Sequence, residues 1–185
     1  MAAHDHPQVD FAMCVSTIMD MPFVSGYLNW DLIAKSIAEH TPNVPRNFTA
    51  SYECAGWGFA LDYAQRRLPL GGRVLLVVAD LNVLDISFWR ENENWGHSGF
   101  GVSTVLVTIP PAAELSLRVG VAKSDQGMGE FCADLRKWLK TSTGALTNVP
   151  FLPAEMTGIY SHFLPSDRVM RDLHSDWGHC FGSDT

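Results

Sequence analysis

Two uninterrupted apolar runs, Val9–Thr17 (VDFAMCVST) and Arg73–Asp80 (RVLLVVAD), constrain this chain more than any other feature. Neither alternates polar with apolar residues, as a strand with one wet face does. Both read as strands buried in a sheet covered on its two faces, the habit of parallel sheets. Between them lie two segments of helical period. Trp30, Ile33, Ala34, Ile37 and Ala38 share one face behind a capping Asn29 and stop at Thr41-Pro42; Phe59, Ala60, Tyr63 and Ala64 share another within Ala55–Leu68, which Gly71-Gly72 ends. Strand, helix, helix, strand predicts an α/β fold. Further strands are expected at Val102–Ile109 and Leu115–Ala122, separated by Pro110-Pro111. A helix is expected over Gly127–Lys140, with Met128, Phe131, Cys132, Leu135, Trp138 and Leu139 on one face and Lys137 and Lys140 in its last turn, where the helix dipole favours cations. Beyond Thr141 the sequence is rich in Pro, Gly, Ser and His, and only short pieces around Ile159 and Val169–Leu173 carry a pattern.

With 185 residues, 46% of them hydrophobic and 18% charged, the chain is long enough for one α/β body with a real core. The 13 Lys and Arg residues are scattered among 20 Asp and Glu, giving a net charge of −7 and no cationic stripe to neutralise phosphates, which argues against nucleic acid as a partner. The longest strongly apolar stretch, Val74–Ala79, falls far short of the ~20 residues that cross a bilayer as a helix. Met1–Pro7 has neither the cationic start nor the apolar core of a secretion signal, so a soluble, cytoplasmic protein is expected. Cys14, Cys54, Cys132 and Cys180 lie far apart without a CxxC pair and are expected as reduced thiols.

Cys54 stands between a strand-like stretch, Asn47–Glu53, and the helix beginning at Ala55. A sulfur at a helix N-terminus faces unpaired N–H groups and the positive end of the dipole, which favour thiolate over thiol and activate a nucleophile. Ala55, Gly56 and Gly58 leave room for close approach. The plain alternative is a buried structural cysteine.

The residues Tyr52-Glu53-Cys54-Ala55-Gly56-Trp57-Gly58-Phe59-Ala60-Leu61, followed by Gly72-Arg73-Val74-Leu75-Leu76-Val77-Val78-Ala79-Asp80 and by Gly96-His97-Ser98-Gly99-Phe100-Gly101-Val102, resemble the active-site segment of thiolase-like condensing enzymes. The similarity is greatest to beta-ketoacyl-acyl-carrier-protein synthase III, and it is strong over Val9–Ile109 and weaker after it. It implies a layered α-β-α-β-α architecture, with residues 1–110 in the N-terminal half carrying the nucleophile and 111–185 in the C-terminal half. It implies Cys54 as the acceptor of an acyl group from acyl-coenzyme A or an acyl carrier protein, with no metal or redox cofactor. Gly158-Ile159-Tyr160-Ser161-His162 is similar to a family strand that ends in a catalytic histidine, which implies His162. Trp177-Gly178-His179-Cys180 matches a late turn in which the family carries asparagine, and His179 occupies that place, so a Cys-His-His set is implied. His97 replaces an acidic residue of the family's glycine-rich loop and is expected to be loop structure. The resemblance also implies dimerisation, as a homodimer or with a complementing subunit. Full family members extend beyond both ends of this sequence, so it is expected to be incomplete as a catalytic unit, and a non-catalytic subunit partnering a full-length synthase is the alternative. A metal set of His174, Asp176, His179 and Cys180 is a weaker rival, because Gly178 argues for a turn rather than a ligand-bearing helix.

Overall fold

The computed structural model describes residues 8–113, 126–144, 146, 154–171 and 174–183. In chain order the elements are β1 (Phe11–Val15), α1 (Asp20–Val24), α2 (Trp30–Ala38), β2 (Asn47–Thr49), α3 (Gly56–Arg67), β3 (Gly72–Asp80), α4 (Ser87–Arg90), β4 (Glu91–Asn92), β5 (Gly96–His97), β6 (Gly101–Ile109), α5 (Gly127–Thr141), α6 (Ala154–Phe163) and α7 (His174–Trp177). Short 3-10 turns cover Glu53–Ala55, Ser166–Arg168 and Phe181–Ser183.

A four-stranded sheet runs in the order β2-β1-β3-β6. β1 is parallel to both neighbours, with Cys14 opposite Phe48 on one side and Val77 on the other. β6 closes the sheet antiparallel to β3, in a register that runs unbroken from Gly72 opposite Ile109 to Asp80 opposite Gly101. The expected α/β class and the strand and helix assignments up to Ile109 hold, with bounds shifted by a residue or a few. Asn29 caps α2 as read, its side chain accepting the Leu32 N–H at 3.2 Å. The stretch Leu115–Ala122 lies outside the described residues.

One face of the sheet is dry. Met13, Val15, Val74, Leu76, Val78 and Ile109 pack against Ala60 and Ala64 of α3, and these small residues let the helix lie close on the strands. The opposite face is less covered than two buried apolar runs suggest: Leu75 and Val77 are only half-buried and Leu106 is exposed. The turn into β3 needs Gly71, whose φ of +82° is left-handed and whose Cβ, if it had one, would stand 2.7 Å from the Ile109 carbonyl oxygen.

A second cluster joins α5 to α6 through Cys132, Leu139, Tyr160 and Leu164. Here the sequence reading needs correction, because the segment expected to be a strand ending at His162 is helical. Tyr160 and Leu164 lie four residues apart and both turn inward, and the Leu164 N–H donates to the Tyr160 carbonyl at 2.8 Å. The Ile-Tyr-Ser-His-Phe composition favours a strand locally, but this apolar pair at helical spacing decides the outcome. None of the helices among the described residues is long and apolar enough to cross a membrane.

Candidate active site

The carboxyl ends of β1 and β3, the turn after β2 and the last turn of the chain meet at one edge of the sheet. Ligand sites of parallel α/β sheets gather at such strand ends. The β2-to-α3 connection is a sharp elbow: Tyr52 and Glu53 both have left-handed backbones, with φ of 69° and 47°. Two consecutive non-glycine residues in that region store on the order of 1–3 kcal/mol each. The Tyr52 ring stacks on Phe59, one turn into α3, with centroids 3.5 Å apart and planes 5° from parallel. The Ala55 N–H donates to the Tyr52 carbonyl at 3.0 Å, closing the 3-10 turn that carries Cys54. The helix thus begins one residue later than its spacing suggests, and Cys54 sits on the turn that feeds its N-terminus.

The Cys54 side chain packs, half-buried, against Ile18, Met19 and Phe181. Its Sγ is 3.7 Å from Nε2 of His179. A cysteine and a histidine at this distance form the pair that nucleophilic thiol chemistry needs, since the imidazole can take the thiol proton and hold the thiolate.

His179 is buried and held by its main chain. Its N–H donates to the His97 carbonyl at 2.9 Å and its carbonyl accepts the Gly99 N–H at 2.9 Å, a parallel bridge across Ser98. The two backbones approach so closely that only glycine fits on either side. A Cβ on Gly99 would stand 2.6 Å from the Trp177 carbonyl oxygen, and one on Gly178, where φ is +72°, 2.8 Å from the His97 carbonyl oxygen. The imidazole lies between Trp95 and Phe181, with ring centroids at 5.6 and 4.8 Å. Trp95 is oriented by its own Nε1–H, which donates to Ser98 Oγ at 2.7 Å, and by stacking on Trp89.

Beneath this pair Asp80 ends β3 almost fully buried. Its Oδ1 accepts from Ser16 Oγ at 2.9 Å, from the Thr17 N–H at 2.6 Å and from the Ile18 N–H at 3.3 Å; its Oδ2 accepts from the Gly182 N–H at 3.1 Å. Burial pushes its carboxyl above the usual carboxylate range, against the opposing pull of these donors. Phe181, between His179 and the Asp80 contact, is left-handed with φ of 53° and buried, a conformation that costs a bulky residue on the order of 1–3 kcal/mol.

The structure therefore brings Cys54 and His179 together. It does not bring His162 to them: His162 is in the last turn of α6, exposed, with its ring edge-on to Phe163. His97 joins the β4-β5 hairpin through its pairing with Glu91 and supplies the carbonyl that binds His179, a loop role as expected. Among the described residues no three His, Cys, Asp or Glu side chains converge as metal ligands do. Sequence reasoning missed Asp80 as part of the site. Its signal was the carboxylate that closes an otherwise apolar strand, a group that needs buried donors.

No protein-family model and no curated protein matches the chain. Among solved structures it is similar to ChlB3, an acyltransferase, at a TM-score of 0.58 and 14% identity, covering 95% of this chain and 66% of that one. It is likewise similar to AbyA1, a tetronic acid condensing enzyme, at a TM-score of 0.57 and 15% identity, covering 95% of this chain and 67% of that one. The chain spans about two thirds of the length of each. It shares with them the thiolase-like fold.

Proposed function

We propose that this chain carries out acyl transfer through a thioester on Cys54, in the manner of beta-ketoacyl-acyl-carrier-protein synthase III. The single observation that supports this reading is the 3.7 Å approach of Cys54 Sγ to His179 Nε2 on a fold shared with acyltransferase and condensing enzymes. His179 accepts the Cys54 proton, and the thiolate attacks the carbonyl carbon of an acyl thioester of coenzyme A or a carrier protein. The tetrahedral adduct collapses with loss of the coenzyme or carrier thiolate, which takes the proton back from His179. The turn that carries the sulfur lies at the positive end of the α3 dipole, which favours the negative charge that develops there. The acyl group then passes to a carbon or heteroatom nucleophile, in fatty-acid or polyketide-type assembly. Trp95, Phe181 and Ile18 keep the site apolar, which slows hydrolysis of the acyl-enzyme. His162, exposed on α6, takes no part in this scheme.

The partner we propose is a second copy of the chain, met along β6. Among the described residues this strand pairs only with β3, and it exposes Val102, Val105 and Leu106 on a nine-residue edge, the kind of surface that sheet proteins pair or cover.

Intact-protein mass spectrometry after incubation with a panel of acyl-coenzyme A thioesters tests the proposed activity. The expected result is an acyl mass increment on the wild-type protein that is absent from Cys54→Ala. A folded wild-type protein that takes up no acyl group from any thioester, or a Cys54→Ala protein that takes it up equally, overturns the reading.

A further inference from the structure

We propose that Asp80 is the positioning residue that holds His179 against Cys54, by tying the turn after His179 to the loop after β1. The inference rests on the reading of Cys54 and His179 as a working pair. His179 is anchored on its N-terminal side by the bridge to residues 97–99. On its C-terminal side the chain passes through the strained Phe181 to Gly182, and the Gly182 N–H donates to Asp80 Oδ2 at 3.1 Å. The other oxygen of the same carboxylate takes three donors from Ser16, Thr17 and Ile18. Ile18 belongs to the cluster on which Cys54 packs. One rigid, buried group therefore fixes both walls of the site in a single frame. A left-handed Phe181 relaxes when the Asp80 link to the residue after it is broken, and relaxation there swings the His179 ring, two residues away, off the sulfur. The fit is tight, since a Cβ on Gly182 would stand 2.9 Å from Val78 Cγ1 and 3.3 Å from Asp80 Oδ2.

Asp80→Asn keeps an oxygen for the three donors of the β1 loop and turns an NH2 group toward the Gly182 N–H, breaking only the second link. Gly182→Ala breaks the same link by bulk and leaves the carboxylate in place. Val74→Ala opens a cavity in the core at the opposite end of β3 and serves as the control for general loosening. The readouts are the melting temperature and the iodoacetamide alkylation rate of Cys54, resolved by peptide mass spectrometry. A position lost by about an ångström costs roughly ten- to a hundredfold in such chemistry. The expected result is a slowing of that size in Asp80→Asn and Gly182→Ala. In Val74→Ala the melting temperature falls while the alkylation rate holds. In a His179→Ala background Asp80→Asn adds no further slowing, because it acts through the histidine.

The proposal is overturned if Asp80→Asn and Gly182→Ala alkylate as fast as wild type. It is equally overturned if Val74→Ala slows as much at the same loss of melting temperature, or if the Asp80→Asn effect persists undiminished without His179. Should Asp80→Asn fail to fold, Gly182→Ala alone and combined with His179→Ala decides the matter. A wild-type protein that forms no acyl adduct but gives the expected alkylation pattern removes the acyl-transfer reading and leaves the role of Asp80 standing.

Discussion

Cys14 and Cys54 carry the same thiol near the ends of neighbouring strands and meet opposite surroundings. Cys14 lies inside β1, where burial and then the nearby Asp80 carboxylate push its thiol from 9.0 up to about 12. In the unfolded chain it ionises near the lower value, so between roughly pH 9 and 12 unfolding releases a proton and stability falls as pH rises. Tyr160, pushed from 10.0 to about 12 by burial and by Cys132, acts in the same direction over the upper part of that window. Urea unfolding followed from pH 8 to 11 is expected to show this decline, and Cys14→Ala is expected to flatten it, leaving the shares of Tyr160 and of Cys132, whose thiol burial also raises; equal slopes in the two proteins contradict the assignment. Cys54 was legible from sequence because small residues and a helix start follow it directly. That His179 is its partner was legible only through resemblance, since 125 residues separate the two and no local pattern joins them. Asp80 was read as a strand end, because its four donors come from Ser16, Thr17, Ile18 and Gly182, which only the folded chain assembles.

At the scale of elements, periodicity succeeded where one partner dominates and failed where two compete. The apolar runs of β1 and β3 and the small-residue face of α3 were legible because each packs as its own spacing dictates. The α6 segment looked like a strand because its neighbours in sequence are aromatic and β-branched, while its burial is set by α5, a partner that no local window contains. The β4-β5 hairpin, with two-residue strands, is too short to carry a period. Its function is to carry the chain to Ser98 and Gly99, where His179 is bridged. Gly99→Ala puts a methyl group against the Trp177 carbonyl oxygen and Cys180 Sγ, at 2.6 and 2.8 Å before relaxation. Overpacking of this kind costs about 1–3 kcal/mol. We expect a lowered melting temperature together with slowed Cys54 alkylation, the sheet itself remaining intact by circular dichroism; a Gly99→Ala protein with wild-type reactivity shows that the bridge does not place the histidine.

Among the described residues the sheet has one dry face, and its edge strands are the short β2 and the long β6. The α3 side is packed, while β6 leaves Val102, Val105 and Leu106 in solvent. A second copy meeting β6 edge to edge extends the sheet and covers these side chains. Light scattering coupled to size exclusion is expected to give a dimer for the wild-type chain and a monomer for the Val105→Lys, Leu106→Lys double variant, with the fold retained. A wild-type monomer contradicts the dimer and directs the search to a different subunit for that edge.

Whether Cys54 and His179 work as a pair is read out by peptide-resolved alkylation of all four cysteines at neutral pH. Cys54 is expected to react first and far ahead of Cys14, Cys132 and Cys180, and His179→Ala to slow it by about a hundredfold, the lower end of the scale for losing a positioned acid-base partner. Four cysteines that label at similar slow rates, or a Cys54 rate indifferent to His179→Ala, would contradict the pairing.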